Sequence, residues 1–401
     1  MKRRKYFGMV LVFMVVVLLA IGCAKEITPT PPAAPTPPTA PPVSPTPTGP
    51  QIIPGVKMPD TLRWKGMSSP GSGYDIVTRP ALNNIAKVFP GISLQHLPGG
   101  TKAGFDRVEA NECEIGTVYI GDGPFAWFGQ RDYTKPYKHL RAFYQYAPIN
   151  TVYLVVLKDS KIYGLKDLQG KRVHLGVGGW TTTRFSLPAS LALHGITEES
   201  IKAAGGFTYI GAMDAALDML SAGKLDAVSI ATVNPSGLVS QVNETMGIRI
   251  LPMTDKESMV WCLAAPGYYP VKLPSGTYKG QETWPDPNPT IHAYTGLMLI
   301  RDTVPDDVAY NLLCAIFGDK GAAYNEIHPA LKDVDIVANA YYPDYNPLPL
   351  HPGAERYFKE SGFKIAPSWV EKWPTWEMCE KEVNDLVVQT IKTGFPIKYL
   401  K

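Results

Sequence analysis

Two loops rich in glycine and hydroxyl side chains contain the residues best suited to bind a small ligand. The first loop, residues 68–74 (SSPGSGY), lies between a predicted strand over Thr61–Lys65 and a predicted helix over Ile76–Val88. Glycines let backbone amides approach a ligand, hydroxyls donate hydrogen bonds, and a helix N-terminus attracts an anion. An ordinary turn with a capping serine would show the same residues. The candidate ligand residues of this loop are Ser69, Gly71, Ser72 and Tyr74.

The second loop, residues 176–184 (GVGGWTTTR), follows a predicted strand over Arg172–Gly176. Arg184 could bind a carboxylate through two guanidinium nitrogens, although a solvated surface arginine would look the same. Trp180 offers a flat apolar face to a ligand bulkier or more apolar than glutamate; packing in the core is the alternative. Pro188 favours a helix that starts near it, because proline inside a helix removes a hydrogen bond. The candidates here are Gly179, Trp180, Thr181, Thr182, Thr183 and Arg184.

Four further candidates follow other predicted strands. Gly100 and Thr101 lie at the Gly-Gly turn before the helix predicted around Ala103–Glu109, Tyr119 could supply a ring and a hydroxyl, and Asn234 could donate or accept a hydrogen bond. An Asx turn before the following proline would equally explain Asn234. Asp122 would repel an anion, so we expect a structural role for it.

The sequence contains no motif that indicates an enzyme. HExxH, GxxxxGK[ST], CxxC and GxSxG are all absent, and the seven histidines lack metal-ligand spacing. We therefore predict no catalytic residue, no metal site and no cofactor. A hydrolase whose catalytic residues are distant in the sequence and meet only in the folded chain is the alternative.

The charge balance argues against a nucleic-acid partner. The chain has 401 residues with a net charge of +3, and four of its cations lie at positions 2–5. Without residues 1–22 it would carry 35 basic and 36 acidic residues, a net charge of −1. Affinity for a phosphate backbone requires a larger cationic surface.

Alternating strands and helices predict an α/β fold. Such alternation implies parallel sheets covered on both faces, with ligands bound beyond the carboxyl ends of the strands. Beyond the elements named above, the pattern predicts strands at Ile92–His96, Glu114–Ile120, Val152–Leu157, Phe207–Ile210 and Ala227–Ile230, and helices near Ala103–Glu109, Ala189–His194 and Ala212–Ala222.

Five segments, taken in order, resemble the TAXI family of TRAP-transporter solute-binding subunits. They are residues 69–74 (SPGSGY), 99–101 (GGT), 165–173 (LKDLQGKRV), 273–278 (LPSGTY) and 348–357 (LPLHPGAERY). The third string occurs in many binding proteins, whereas the last two are more specific. The sequence departs from the family at Trp180 and Thr183, where serine and glutamate are usual.

The resemblance implies a type II periplasmic-binding-protein fold with two α/β lobes joined by two hinge strands, the second near Ala293–Ile300. It also implies capture of a small, usually carboxylated solute and its delivery to an ion-gradient-driven permease. The implied organisation is a lipoprotein signal peptide (1–22), a lipidated Cys23 with a Pro-rich linker (23–57), lobe 1 (58–151), lobe 2 (152–291), the return of lobe 1 (292–362) and a C-terminal helical extension (363–401).

The N-terminus resembles a bacterial lipoprotein signal. A cationic start (Met1–Lys5) precedes an apolar run (Tyr6–Gly22), and Cys23 follows a small residue. Lipid on Cys23 would anchor the protein outside the cytoplasm; an uncleaved membrane anchor is the alternative. Residues 29–54 are nearly half proline, which predicts an extended stalk.

Two features remain open in the sequence alone. The four other cysteines, an even number, allow a disulfide without requiring one. The tryptophans at 369, 373 and 376 have helical spacing, which suits packing on a lobe or docking to a permease. The leading prediction is a receptor for a TRAP-type permease; a binding lipoprotein of an ABC transporter or of a sensor system is the alternative.

Overall fold

A central sheet of ten strands organises the protein. The computed structural model describes residues 49–68 and 70–393, so the predicted signal peptide, Cys23, most of the linker and Ser69 lie outside the described residues. The strands are β1 (Thr61–Met67), β2 (Ser93–Pro98), β3 (Ile115–Tyr119), β4 (Leu140–Leu157), β5 (Arg172–Gly176), β6 (Phe207–Ile210), β7 (Ala227–Val233), β8 (Ile248–Ile250), β9 (Tyr268–Lys272) and β10 (Thr290–Arg301).

Thirteen α-helices among the described residues cover the sheet. They are α1 (Gly73–Val88), α2 (Thr101–Glu109), α3 (Gly123–Phe128), α4 (Leu187–Ala192), α5 (Glu198–Ala203), α6 (Met213–Ser221), α7 (Gly237–Met246), α8 (Asp255–Ala264), α9 (Asp306–Phe317), α10 (Ala322–Ile327), α11 (Pro352–Glu360), α12 (Trp369–Lys372) and α13 (Trp376–Thr393). None of them is both long and apolar enough to span a bilayer.

The strand order is β2-β1-β3-β10-β4-β7-β5-β6, with β8 paired to β4 and β9 paired to β10. β1 runs parallel to β2 and β3, and β5 runs parallel to β6 and β7. The long strands β4 and β10 are antiparallel to each other and lie between these two parallel groups. We call the group around β1–β3 the first half and the group around β5–β7 the second half. This topology is the periplasmic-binding-protein arrangement that the sequence resemblance implied.

The predicted elements are largely confirmed. The strands over Arg172–Gly176 and Phe207–Ile210 have the predicted bounds, and the predicted hinge strand lies within β10. The first part of β4 and the short strands β8 and β9 were missed. A π-helical turn at Thr182–Ser186 precedes α4, and Pro188 lies in the first turn of α4, where no amide hydrogen is required. The boundaries assigned to the two lobes stay a prediction.

The polypeptide before β1 is attached to the folded part. The side chain of Asn311 in α9 accepts from the Ile53 amide at 2.8 Å and donates to the Ile53 carbonyl at 3.0 Å. The last residues of the predicted linker are therefore packed against α9 rather than extended away from it.

All four cysteines in the described part of the chain are buried and free. No disulfide connects them, so no covalent cross-link between these four residues stabilises the fold.

Candidate functional site

One cleft lies where the first and second halves of the sheet face each other. It is bounded by the N-termini of α1 and α2 on one side and by the loop before the Thr182–Ser186 turn on the other. The lining residues are Ser68, Gly73, Tyr74, Thr101, Tyr119, Trp180, Thr181, Thr182, Ala231, Tyr268 and Tyr294.

The first side of the cleft consists of two helix N-termini. Ser72 caps α1, its hydroxyl accepting from the Asp75 amide, so Gly73 and Tyr74 lie in the first helical turn. Thr101 is the first residue of α2. The Tyr74 and Thr101 hydroxyls are hydrogen-bonded at 2.7 Å, which joins the two helix starts. Amides at such positions carry partial positive charge and favour an anion.

The second side is the loop that contains Trp180. Gly176 and Gly179 adopt φ values of +125° and +84°, which side-chain-bearing residues rarely adopt. The loop places Trp180 in the cleft wall with 7% of its surface exposed. Thr182 shares a hydrogen bond of 3.0 Å with the Tyr268 hydroxyl, and this contact ties the loop to the aromatic wall.

Three tyrosine rings form the aromatic wall. The Tyr119 centroid lies 4.9 Å from that of Tyr268 and 5.6 Å from that of Tyr294. The Tyr119 hydroxyl donates to the carbonyl of Ala265 at 2.7 Å and also contacts the Pro266 carbonyl. Burial raises the pKa of all three phenols, so each is neutral at physiological pH.

A buried carboxyl group connects the two sides. Asp122 accepts hydrogen bonds from Thr181 and from Tyr133, both at 3.2 Å. Burial raises its pKa from 3.8 to about 6. The structural role expected for Asp122 from the sequence agrees with this position, because Asp122 does not line the cleft.

A buried lysine lies behind the first side. The Lys65 ammonium donates to the Thr117 carbonyl at 2.6 Å and lies 4.6 Å from the centre of the Tyr74 ring. Burial lowers its pKa to about 7. Lys65 does not line the cleft, whereas Tyr74 does.

The cleft is closed in this structure. A Cβ atom on Gly100 would lie 3.1 Å from the Gly178 carbonyl oxygen of the opposing loop. The space left inside is about 20 Å³, enough for about one water molecule. An organic solute therefore requires opening of the cleft or displacement of side chains.

Several sequence-predicted residues lie in or beside the cleft. Tyr74, Thr101, Tyr119, Trp180, Thr181 and Thr182 line it. Gly100 and Gly179 bring the two sides together, Ser72 caps α1, and Gly71 is an exposed turn residue with φ +73°.

Three predicted residues have partners outside the cleft lining. Arg184 forms an ion pair with Asp132, so its guanidinium is already engaged. The Thr183 hydroxyl donates to the Leu175 carbonyl at 2.8 Å. Asn234 donates to Thr151 and accepts from Tyr153 and Tyr278 at 2.7–2.8 Å.

Sequence reasoning missed Tyr268 and Tyr294, together with Ser68, Gly73 and Ala231. Ser68 and Gly73 belong to the loop already singled out, so their position was within reach. Tyr268 in β9 and Tyr294 in β10 meet only because these strands pair antiparallel in register. No local motif signals that pairing.

The cleft offers a ligand neutral hydrogen-bond donors and aromatic rings. None of its lining residues is Lys, Arg, His, Asp or Glu. Within residues 49–68 and 70–393, no group of three or more His, Cys, Asp or Glu could hold a metal ion.

Comparison with known proteins gives the family. Residues 92–362 match the model of the NMT1-like family, which is more than half of the chain. The chain belongs to the NMT1-like family. This membership and the strand topology agree with the periplasmic-binding-protein fold that the sequence resemblance implied. The family match does not distinguish the TAXI subtype, which stays a prediction.

Among solved structures, the chain is similar to an alkanesulfonate-binding protein, SsuA, from Xanthomonas axonopodis pv. citri. The identity is 14%, with 76% of this chain and 85% of that one covered and a TM-score of 0.43. It is also similar to a binding-protein component of an ABC phosphonate transporter from Pseudomonas aeruginosa, at 12% identity over 84% and 99% of the two chains, with a TM-score of 0.47. A third is PhnD1 from Prochlorococcus marinus, bound to methylphosphonate, at 11% identity over 76% and 98%, with a TM-score of 0.44.

Proposed function

We propose that the protein is an extracytoplasmic receptor that closes around one small organic solute and delivers it to a membrane permease. One observation supports this proposal above all. The N-termini of α1 and α2, the loop that contains Trp180 and the aromatic wall all line the same closed cleft. A ligand that touches both sides would stabilise the closed arrangement by its differential affinity.

The lining favours a solute with one acidic group and an apolar or aromatic part. Amides at the starts of α1 and α2, with the hydroxyls of Tyr74 and Thr101, can hold an oxyanion without a cationic side chain. Trp180 and Tyr268 can pack against the rest of the solute. The carboxylate expected from the sequence is one such group, and the sulfonates and phosphonates of the proteins named above are others.

An ABC-type permease is the favoured partner. The matching family model is NMT1-like and gives no support to the TAXI subtype. A TRAP-type permease stays the second candidate because residues 273–278 and 348–357 resemble TAXI segments. Uptake by intact cells separates the two. Import that follows the ATP supply and survives collapse of the ion gradient supports the ABC partner, and the reverse supports TRAP.

A lipid on Cys23 and the proline-rich segment would keep the receptor close to its permease. We expect a Cys23→Ser protein to leave the membrane fraction after cell lysis, whereas the natural chain stays with it. A Cys23→Ser protein that remains in the membrane fraction would favour an uncleaved anchor.

A thermal-shift screen tests the main proposal. The compounds are amino acids, keto acids, dicarboxylates, aromatic acids, sulfonates and phosphonates. We expect a narrow set to raise Tm and to be recovered unchanged from the protein. Chemical conversion of the bound compound would point to the hydrolase alternative, and the absence of any stabilising compound of these classes would count against a solute receptor.

A further inference from the structure

The C-terminal extension contacts both halves of the molecule. Helices α12 and α13 touch α3 in the first half, and α13 also touches α8 and β9. Helix α8 packs on α4 and on the Thr182–Ser186 turn, which belong to the second half. The extension therefore contacts elements of both halves of the sheet.

The contact with the first half is aromatic. The Trp376 ring, at the start of α13, lies 5.0 Å from the ring of Phe125 and 6.3 Å from that of Phe128. Along the same helix Cys379, Val383 and Val387 are buried. Helix α13 packs against α3, α8 and β9.

Arg131 continues that contact into the second half. Its guanidinium carbon lies 3.7 Å from the Phe125 ring centre and 4.4 Å from that of Phe185, which belongs to the Thr182–Ser186 turn. Its Nη1 donates to the Ala264 carbonyl at the end of α8, at 2.8 Å. Arg131, Trp376 and Glu380 line the same small cavity. A planar guanidinium between two aromatic rings is stabilised by a cation–π contact on each of its faces.

The neighbours of Arg131 make further contacts between the two halves. Asp132 pairs with Arg184, and Tyr133 shares the Asp122 carboxylate with Thr181. Residues 131–133 thus connect α3 to the loop that contains Trp180. We call these three residues the clasp.

We propose that Arg131 is a positioning residue that keeps the cleft closed in the absence of solute, and that the C-terminal extension holds Arg131 in place. The inference rests on the proposed function, because it assumes that the two halves open and close around a solute. A receptor that is mostly closed without solute loses little binding free energy to closure. Its apparent affinity is the intrinsic affinity multiplied by the fraction of molecules in the closed, binding-competent state.

Small-angle X-ray scattering of the full chain tests the proposal with Arg131→Ala, Trp376→Ala and the control Lys381→Ala. Lys381 lies on the exposed face of α13 and pairs with Glu382 and Asp385 of that helix. Without solute, we expect both test variants to show a larger radius of gyration than the natural protein. With a saturating compound from the screen, all four proteins should have the same radius, because the compound restores closure.

Solute affinity gives the second readout. We expect roughly tenfold weaker binding in Arg131→Ala and Trp376→Ala, and an unchanged value in Lys381→Ala. An Arg131→Ala protein with the natural radius in the absence of solute would overturn the inference, whatever its affinity. If no compound binds, the proposed function fails, but the comparison of radii without solute still decides whether Arg131 holds the halves together. Arg131 is exposed, so its truncation leaves a folded protein to measure even if Trp376→Ala does not fold.

Discussion

At the scale of single residues, Trp180 and the surrounding hydroxyls define which chemical groups of a solute the cleft can recognise. Each tyrosine of the wall is kept neutral by burial, and no formal charge lines the cleft. Recognition must therefore come from donated hydrogen bonds, helix amides and ring contacts. The ring of Trp180 is the largest apolar surface in the opposing loop.

A Trp180→Ala variant should bind the best compound of the screen about tenfold or more weakly, because an aromatic anchor in a closed site contributes strongly to binding. Isothermal calorimetry measures this. Trp284→Ala is the matched control, since Trp284 is buried to a similar degree and lies outside the cleft lining. Unaltered binding in Trp180→Ala would remove this residue from the site.

Asp122 should make stability depend on pH. Because burial raises its pKa from 3.8 to about 6, the folded protein holds the proton more tightly than the unfolded chain. The free energy of unfolding should therefore fall as the pH rises from about 4 to about 6, and level off above that. The size of the effect is about 3 kcal/mol at most.

Urea denaturation of the natural protein and of Asp122→Asn, at several pH values, checks this expectation. The asparagine cannot ionise, and its amide oxygen can still accept from Thr181. We expect this component of the pH dependence to be missing in the variant. The same fall with pH in both proteins would show that Asp122 is not its source.

At the scale of elements, closure depends on how closely two loops can approach. Gly100 precedes α2, and its backbone torsions (φ −72°) are open to any residue. Glycine is required at this position for space between the two loops and not for its backbone torsions. A Cβ atom on residue 100 would lie 3.1 Å from the Gly178 carbonyl oxygen.

A Gly100→Val variant should keep its fold and lose much of its affinity, by roughly tenfold, because the added methyl groups hold the loops apart. Gly91→Val is the control, since a Cβ atom at Gly91 meets no other atom within 4 Å. Tm without solute and the dissociation constant are the two measurements. An equal loss of affinity in both variants would contradict the steric explanation.

The whole molecule is connected by two long strands, β4 and β10, and by α13. The four described cysteines are buried at separate places in the fold, and burial raises the pKa of Cys113 and Cys314 to about 11 and of Cys379 to about 12. A thiol in that state is a poor nucleophile at neutral pH.

We therefore expect the folded protein to resist thiol labelling and to have the same Tm with and without reductant. Labelling under denaturing conditions, read by mass spectrometry, should then modify Cys113, Cys262, Cys314 and Cys379. A Tm that drops on reduction would mean that a disulfide stabilises the protein after all.

The sequence by itself determined the α/β class, most strand and helix positions and the two loops that face the cleft. Those features depend on local periodicity, on turn residues and on capping, which act within a few positions of the chain. Pro188 in a first helical turn is an example that the structure confirms. A capping serine was only the alternative explanation of the first loop, and Ser72 takes that position.

Tertiary structure alone decided which side chains meet. Tyr268 and Tyr294 enter the cleft because β9 and β10 pair in one register, and Arg184 has Asp132 as its partner because two loops from opposite halves come together. The path of α13 across both halves likewise depends on contacts between residues more than a hundred positions apart. Such contacts follow from packing of the complete chain, so no local pattern of residues encodes them.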